Sequence, residues 1–253
     1  MNKPVTATHP ALPFTLTFDP ASYRWRDNEN SEYVFGTKFL ARFFEPFDAP
    51  AAAARVSART GQSELEILAD WKARGKAASA HGDAVHSYAL ALVTGSAPPS
   101  PSSPGESAAR QAVDAALRMI DATYEVLGAE QVVFDPLYHL AGIIDLPARN
   151  RETGALTVID WKTNAEITDD AYGRTALAPI SHVPDSKLSR HTLQLSLYAW
   201  IMQDSGYIPA SDPAPDLALI HIPPGATEPA WIPLPYMRAE VQALVDYYWE
   251  HRS

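Results

Sequence analysis

Apolar and polar positions alternate along residues 14–35, in FTLTF and again in YRWR and EYVF around the polar run DNENS. A period of two, interrupted by turn-forming Asn and Asp, predicts an appended N-terminal β-hairpin. The stretch GTKFLARFFEPF (36–47) instead repeats its apolar residues at helical spacing, and the alanine run at 51–54 opens another helical segment. Ser63 and Glu66 then stand in the register of a capping box at the head of 63–93, and Leu65, Leu68, Ala69 and Trp71 follow as an apolar stripe. One long helix, or two abutting ones broken near Gly75, is expected there.

SAPPSPSSPG (96–105) holds no regular structure in this reading, because its prolines lack donors and its serines compete for backbone hydrogen bonds. It reads as a flexible loop within one domain. The pattern beyond it predicts a helix over 106–127 and a three-stranded meander at about 130–135, 138–147 and 155–161. A polar loop (163–186), a helix (187–205), a strand at DLALIHI (216–222), a short strand near AWIPL and a terminal helix (237–251) complete the chain. No internal repeat is present. Helix, meander, helix, strand is the order of an α/β fold with a mixed β-sheet flanked by helices. Residues 1–60 read as the hairpin and a helical extension packed on a core formed by 61–253.

The 253 residues, 46% hydrophobic and 20% charged, suffice for a sizeable buried core. The absence of cysteine excludes disulfides, zinc–thiolate sites and iron–sulfur clusters, and leaves carboxylates, His and backbone oxygens for any metal. A hard cation is favoured. Neither a signal-peptide stretch nor a run of ~18 apolar residues is present, which points to the cytoplasm and away from a membrane. The net charge of −10 argues against a protein that coats nucleic acid through bulk electrostatics. It leaves room for an enzyme with a local basic rim, since a carboxylate-built metal site is itself acidic. From Asp204 onward seven Asp or Glu face only Arg238 and Arg252, so this part is expected to point away from any polyanion.

The chemistry gathers on the meander. In GALTVIDWKTN the alternation of a strand puts Val158, Asp160 and Lys162 on one face and Thr157, Ile159 and Trp161 on the other. Half-burying Asp160 and Lys162 side by side is costly unless they and a metal or substrate neutralise one another; a solvated strand end is the alternative. Asp145 follows Ile143 and Ile144 in a run that should be buried. Hairpin-connected strands can bring Asp145 and Asp160 to one end of the sheet, where the pair would repel unless a divalent cation bridges it. Capping a turn at Pro147 is the other use for Asp145. On LSRHTLQLSLYAW, Gln194 and Tyr198 share a helical face with Arg190 and His191 one turn earlier, and Leu193, Leu197, Trp200 and Ile201 form the core face. His86 follows Gly82 by one turn among small residues that permit close approach to a sheet.

HGDAVH, GIID, IDWKT and QLSLY, in this order and at these separations, resemble the motif series of RecB-type nucleases in the PD-(D/E)xK superfamily. The N-terminal hairpin and GTKFLARFFEPFD are similar to the front of some phage and large-virus members. The resemblance implies a restriction-endonuclease-like fold and a Mg²⁺- or Mn²⁺-dependent DNA nuclease, an exonuclease acting on DNA ends in recombination or repair. A site- or structure-specific endonuclease and a catalytically inactive DNA- or protein-binding module are the alternatives. It makes Asp145, Asp160, the Trp161 carbonyl and His86 metal ligands and gives Lys162 the attacking water. Gln194 and Tyr198 would position the carboxylates or the DNA backbone, and Glu130 is a weaker candidate behind the ligands or at a second ion. A DNA-binding rim is expected at Lys187, Arg190 and His191, extended by Lys72, Arg74 and Lys76. A recombination partner protein or a homo-oligomer stays open. Ile144 stands where the naming proline of the motif would be, and the missing cysteines set the chain apart from relatives with an iron–sulfur staple.

Overall fold

The expected hairpin is part of a three-stranded antiparallel ribbon, β1 (Thr6–Thr8), β2 (Thr15–Asp19) and β3 (Arg24–Asp27). The structure is a computed structural model and describes residues 5–22 and 24–252. Phe18 lies opposite Trp25 and Leu16 opposite Asp27, so a first reversal falls between Asp19 and Arg24, ahead of the one at DNENS. DNENS forms a second tight turn, because Asp27 Oδ1 accepts the Glu29 and Ser31 N–H groups at 2.9 Å and Asn30 takes the left-handed conformation. After a single bridge from Arg26 to Glu32 the chain leaves the ribbon as β4 (Val34–Phe35) and enters the core.

Helix α1 (Gly36–Leu40) and a 3-10 turn (Ala41–Phe43) bury Phe39, Leu40, Phe43 and Phe44. Helix α2 (Ala49–Thr60) is capped by Asp48, whose side chain accepts the Ala51 N–H, and stops at Gly61, where φ is +74°. Helix α3 (Glu64–Val93) opens on the Ser63–Glu66 capping box and runs unbroken through Gly75. Its first half pairs with α2, and residues 72–80 are exposed on every side. Its second half packs on α4 (Pro104–Thr123) and on the sheet. Residues 96–103 between them carry no helix or strand, and all are exposed. Helix α4 stops before the expected 127 because Tyr124, Glu125 and Val126 are taken as an edge strand, β5 (Tyr124–Val126).

The expected meander is four strands in two sheets: β6 (Gln131–Asp135), β7 (Leu140–Ile144), β8 (Leu146–Asn150) and β9 (Leu156–Lys162). The single strand expected over 138–147 is broken at Asp145. Before the break β7 pairs with β6 and, in parallel, with β4; after it β8 pairs with β9 and β5. Helix α5 (Lys187–Asp204), β10 (Asp216–His221), β11 (Ala230–Leu234) and α6 (Arg238–His251) follow. The larger sheet has the order β11-β10-β9-β8-β5, with β10 parallel to β9 and the other neighbours antiparallel.

The two faces of β9 feed two cores. Leu156 and Val158 join Leu193, Leu197 and Trp200 of α5 and Val241 and Leu244 of α6, whereas Ile159 and Trp161 join Val85 and Ala89 of α3 and Ala112, Val113 and Ile120 of α4. The result is a mixed sheet between helices, with α5 so enclosed that Leu193, Leu195, Leu197 and Ile201 are completely buried. No helix among the described residues is long and apolar enough to cross a membrane.

Candidate active site

Asp145 and Asp160 meet because of the break between β7 and β8. Antiparallel β8 and β9 are in register up to Leu146 opposite Ile159, so the next pair along the ladder would be Asp145 opposite Asp160. The main chain turns away at that point, and the Asp145 side chain takes over: its Oδ2 accepts the Trp161 N–H at 2.9 Å. The carboxylate thus reaches across to β9 and does not cap a turn at Pro147. Lys162 Nζ lies 2.5 Å from Asp160 Oδ2, with both side chains largely buried. The contact lacks hydrogen-bond alignment, however, and Asp160 Oδ2 has no hydrogen-bond partner.

Burial first, and then the charge on Asp160, push the Asp145 carboxyl well above the usual carboxylate range; the Trp161 N–H and Lys162 offset part of this. His86 approaches from α3, its Nδ1 3.5 Å from Asp145 Oδ2. The approach is close because α3 carries Gly82 over the end of β9: a Cβ there would come within 3.3 Å of Thr163 Oγ1. Glu130 sits behind Asp145 in the left-handed conformation, and its N–H donates to the Asp145 carbonyl at 2.9 Å. His86, Glu130 and Thr163 line one open cleft.

Helix α5 closes the site from the other side. Tyr198 is nearly buried and fills a slot between two glycines: a Cβ on Gly142 would collide with its ring, and one on Gly36 would come within 2.7 Å of it. Its hydroxyl accepts a hydrogen bond from Gln194 Nε2 at 3.2 Å. Burial, reinforced by the charge on Asp160, raises the phenol so that it stays protonated. The Gln194–Tyr198 stripe therefore faces the sheet end and not solvent. His191 lies close enough to Lys162 and Asp160 to feel both. Burial, and then Lys162, depress its pKa to about 4, which leaves a neutral imidazole whose Nε2 has no hydrogen-bond partner.

The other residues expected on the rim lie further from the two acids. Arg190 donates to buried Asp185 at 2.7 Å and lies over the Phe44 ring at 4.1 Å, which makes it a clamp between α5 and the segment after α1. Lys187 is exposed and reaches the Glu166 carbonyl at 3.3 Å. Lys72, Arg74 and Lys76 project from the exposed half of α3, with Arg74 paired to Asp70 at 2.7 Å. One residue near the site had no sequence signal: His221, at the end of β10, is the register partner of Lys162 and holds the Asn164 carbonyl at 2.7 Å. A parallel pairing between strands more than 50 residues apart leaves no local trace.

The donor set fits a hard divalent cation. Asp160 presents a buried oxygen without a hydrogen bond, Asp145 offers a carboxylate disfavoured as a bare anion beside it, and no thiolate competes. Among the described residues no three His, Asp or Glu side chains converge into a complete cage.

The family described as the PD-(D/E)XK nuclease superfamily matches residues 105–250, more than half of the chain, a span that includes Asp145, Asp160, Lys162, Gln194 and Tyr198 but not His86. No curated protein matches the chain.

Proposed function

Because the chain belongs to the PD-(D/E)XK nuclease superfamily, we propose that it hydrolyses phosphodiester bonds of DNA at the end of β9. The observation that carries this is the meeting of Asp145, at the break before β8, with buried Asp160 of β9, and Lys162 against Asp160. Asp145 and Asp160 would hold Mg²⁺ or Mn²⁺, with the Trp161 carbonyl and His86 as further donors. When bound, the ion supplies positive charge where the transition state accumulates negative charge. Lys162 orients the attacking water and holds a nonbridging oxygen. The water oxygen bonds to phosphorus, the bond to the leaving 3′ or 5′ oxygen breaks, and that oxygen takes up a proton. Gln194 and Tyr198 keep the Asp145 end of β7 in place, since Tyr198 packs directly on Gly142.

The finer reading is an exonuclease that processes DNA ends in recombination or repair. It is supported by the likeness of HGDAVH, GIID, IDWKT and QLSLY to RecB-type nucleases. Linear duplex, linear single strand and closed circular duplex, each incubated with Mg²⁺ and with EDTA, test both levels together. Linear DNA should be degraded in Mg²⁺ alone while the closed circle survives; cutting of the circle would make the protein an endonuclease. Lys162→Ala should abolish cleavage and keep DNA binding, and unchanged cleavage by that variant would remove Lys162 from the mechanism.

A further inference from the structure

A groove of about 640 Å³ opens between the segment after α1, the loop before α5 and the first turn of α5. Its volume is in the range of small-ligand pockets, about 300–1,000 Å³. Phe47, Tyr172, Arg174 and Lys187 stand on its walls. It adjoins a second hollow of about 190 Å³, with which it shares Ala41, Phe44 and Arg190 and which ends on His191 and Gln194. The groove therefore leads out of the candidate active site.

Phe44 on its floor belongs to the core, but Phe47 and Tyr172 do not. Among the described residues three large aromatic side chains are exposed, Phe47, Tyr172 and Tyr247, and two of them line this groove at 68% and 81% exposure. Tyr172 is presented at a positive φ of 51°, unfavourable for an aromatic residue, and is followed by Gly173 at +74°. Asp170 Oδ1 fixes that turn by accepting the Tyr172 N–H at 2.8 Å. Phe47 is backed by Trp71 of α3, ring centroids 6.0 Å apart, so the α2–α3 hairpin holds it in position.

The charges on the walls decide what fits. Lys187 has only a main-chain carbonyl for a partner, and the N-terminal end of α5 adds its partial positive charge at the same rim. Glu45, Glu166, Asp170 and Asp185 also line the groove, and Asp185 takes up Arg174 and Arg190, so a phosphate backbone lying along it would be repelled everywhere but at Lys187. A duplex hides its bases and offers only phosphates. A single strand can stack its bases on the rings and leave its phosphates at the cationic rim.

We propose that this groove binds the unpaired strand of the DNA substrate, with bases stacked on Tyr172 and Phe47 and a phosphate held at Lys187 and the head of α5. The proposal rests on the nuclease reading above and names the substrate form: a single strand or a frayed end. Fluorescence anisotropy on the full chain in EDTA tests it, with labelled oligo(dT), a duplex of equal length and an abasic oligomer as probes. Tyr172→Ala and Phe47→Ala should each weaken oligo(dT) binding about tenfold. Duplex binding should stay unchanged, Tyr172→Trp should bind as the wild type does, and the abasic oligomer should bind the wild type as weakly as oligo(dT) binds the alanine variants. Unchanged oligo(dT) affinity, or equal losses on duplex and single strand, overturns the groove. Mg²⁺-dependent cleavage separates the two readings. Duplex cleavage with one KM across all variants overturns the groove alone. Stacking-dependent oligo(dT) binding without any cleavage overturns the nuclease reading and upholds the groove.

Discussion

Two buried acids lie near the ends of strands in different sheets, Asp135 on β6 and Asp160 on β9, and they are treated in opposite ways. Asp135, at the end of β6, is 4% exposed and saturated: Oδ1 accepts the Tyr138 N–H at 2.8 Å and Oδ2 the Ser205 hydroxyl at 2.6 Å. Asp160, at the end of β9, is equally buried, yet its Oδ2 has Lys162 beside it and no hydrogen bond. Asp145 has a single main-chain donor and an acid for a neighbour. Burial alone therefore does not distinguish a structural acid from a candidate metal-binding one. What distinguishes them is whether neutral donors already meet the charge, because an unmet buried carboxylate is tolerated only where a cation or a proton can join it.

The largest effect should come from exchanging the two fates. Asp160→Asn is expected to lower the cleavage rate by roughly 10²–10³-fold or more while leaving thermal stability nearly unchanged. Asp135→Ala strands the Tyr138 N–H and the Ser205 hydroxyl and should cost about 2–4 kcal/mol in urea unfolding, with the activity of the remaining folded protein retained. If Asp135→Ala proved the silent substitution and Asp160→Asn the unfolding one, the contrast between the two sites would be wrong.

A smaller effect sharpens the contrast. The Asp145 carboxyl is raised by burial and by Asp160, so in the metal-free protein its ionised form is disfavoured by folding. Stability from this group is thus highest at low pH and falls as pH rises from the unfolded value towards the raised folded one, because the folded state holds the proton longer. Asp145→Asn removes that cost and can still accept the Trp161 N–H. In EDTA at neutral pH its Tm should rise by a few degrees, on a scale of about 2–4 °C per kcal/mol for a chain of this size. With Mg²⁺ present the gain should shrink and cleavage should be lost. A lower Tm in EDTA would mean that the acid is satisfied by contacts the site does not offer.

Much of this site was legible in the chain, for reasons that can be stated. Alternation along β9 fixed which residues share a face, and the two cores on either side of it confirm that Leu156 and Val158 part from Ile159 and Trp161. The capping box placed the start of α3, and helical spacing placed α5. The break at Asp145 was not legible. HLAGIIDLPARN has continuous strand character, and the switch of sheets comes from partners far away: β4 and β6 hold one half, β9 and β5 the other. The contacts of Arg190 with Asp185 and Phe44 were equally hidden, since a cation on a helix gives no sign in the sequence of which distant residues it will meet. The turn at DNENS was legible and does join the YRWR segment to EYVF through the Arg26–Glu32 bridge, but the larger ribbon that β1, β2 and β3 form before it was not, because turn chemistry says where a chain bends and not how far the strands then pair.

The smallest effect concerns His191, a neutral member of the cluster. Burial and the charge on Lys162 hold the His191 imidazole neutral down to about pH 4 in the folded protein, whereas the unfolded chain takes up that proton near the ordinary value of about 6.5. Between these values the unfolded state binds the extra proton, so stability should fall as pH drops through the window. Asp145 acts with the opposite sign, so the wild-type slope is the difference of the two contributions. His191→Gln keeps a neutral polar side chain and should leave stability at pH 7 within about 0.5 kcal/mol, as substitutions that create no cavity or unpaired charge do. Urea unfolding in EDTA at several pH values between 7 and 4 should then show the acid-side loss reduced in His191→Gln and steepened in Asp145→Asn, where the opposing contribution is gone. Parallel pH profiles for the wild type and His191→Gln would mean that His191 protonates in place, and that the neighbourhood of Lys162 is wetter and less positive than the burial of these groups implies.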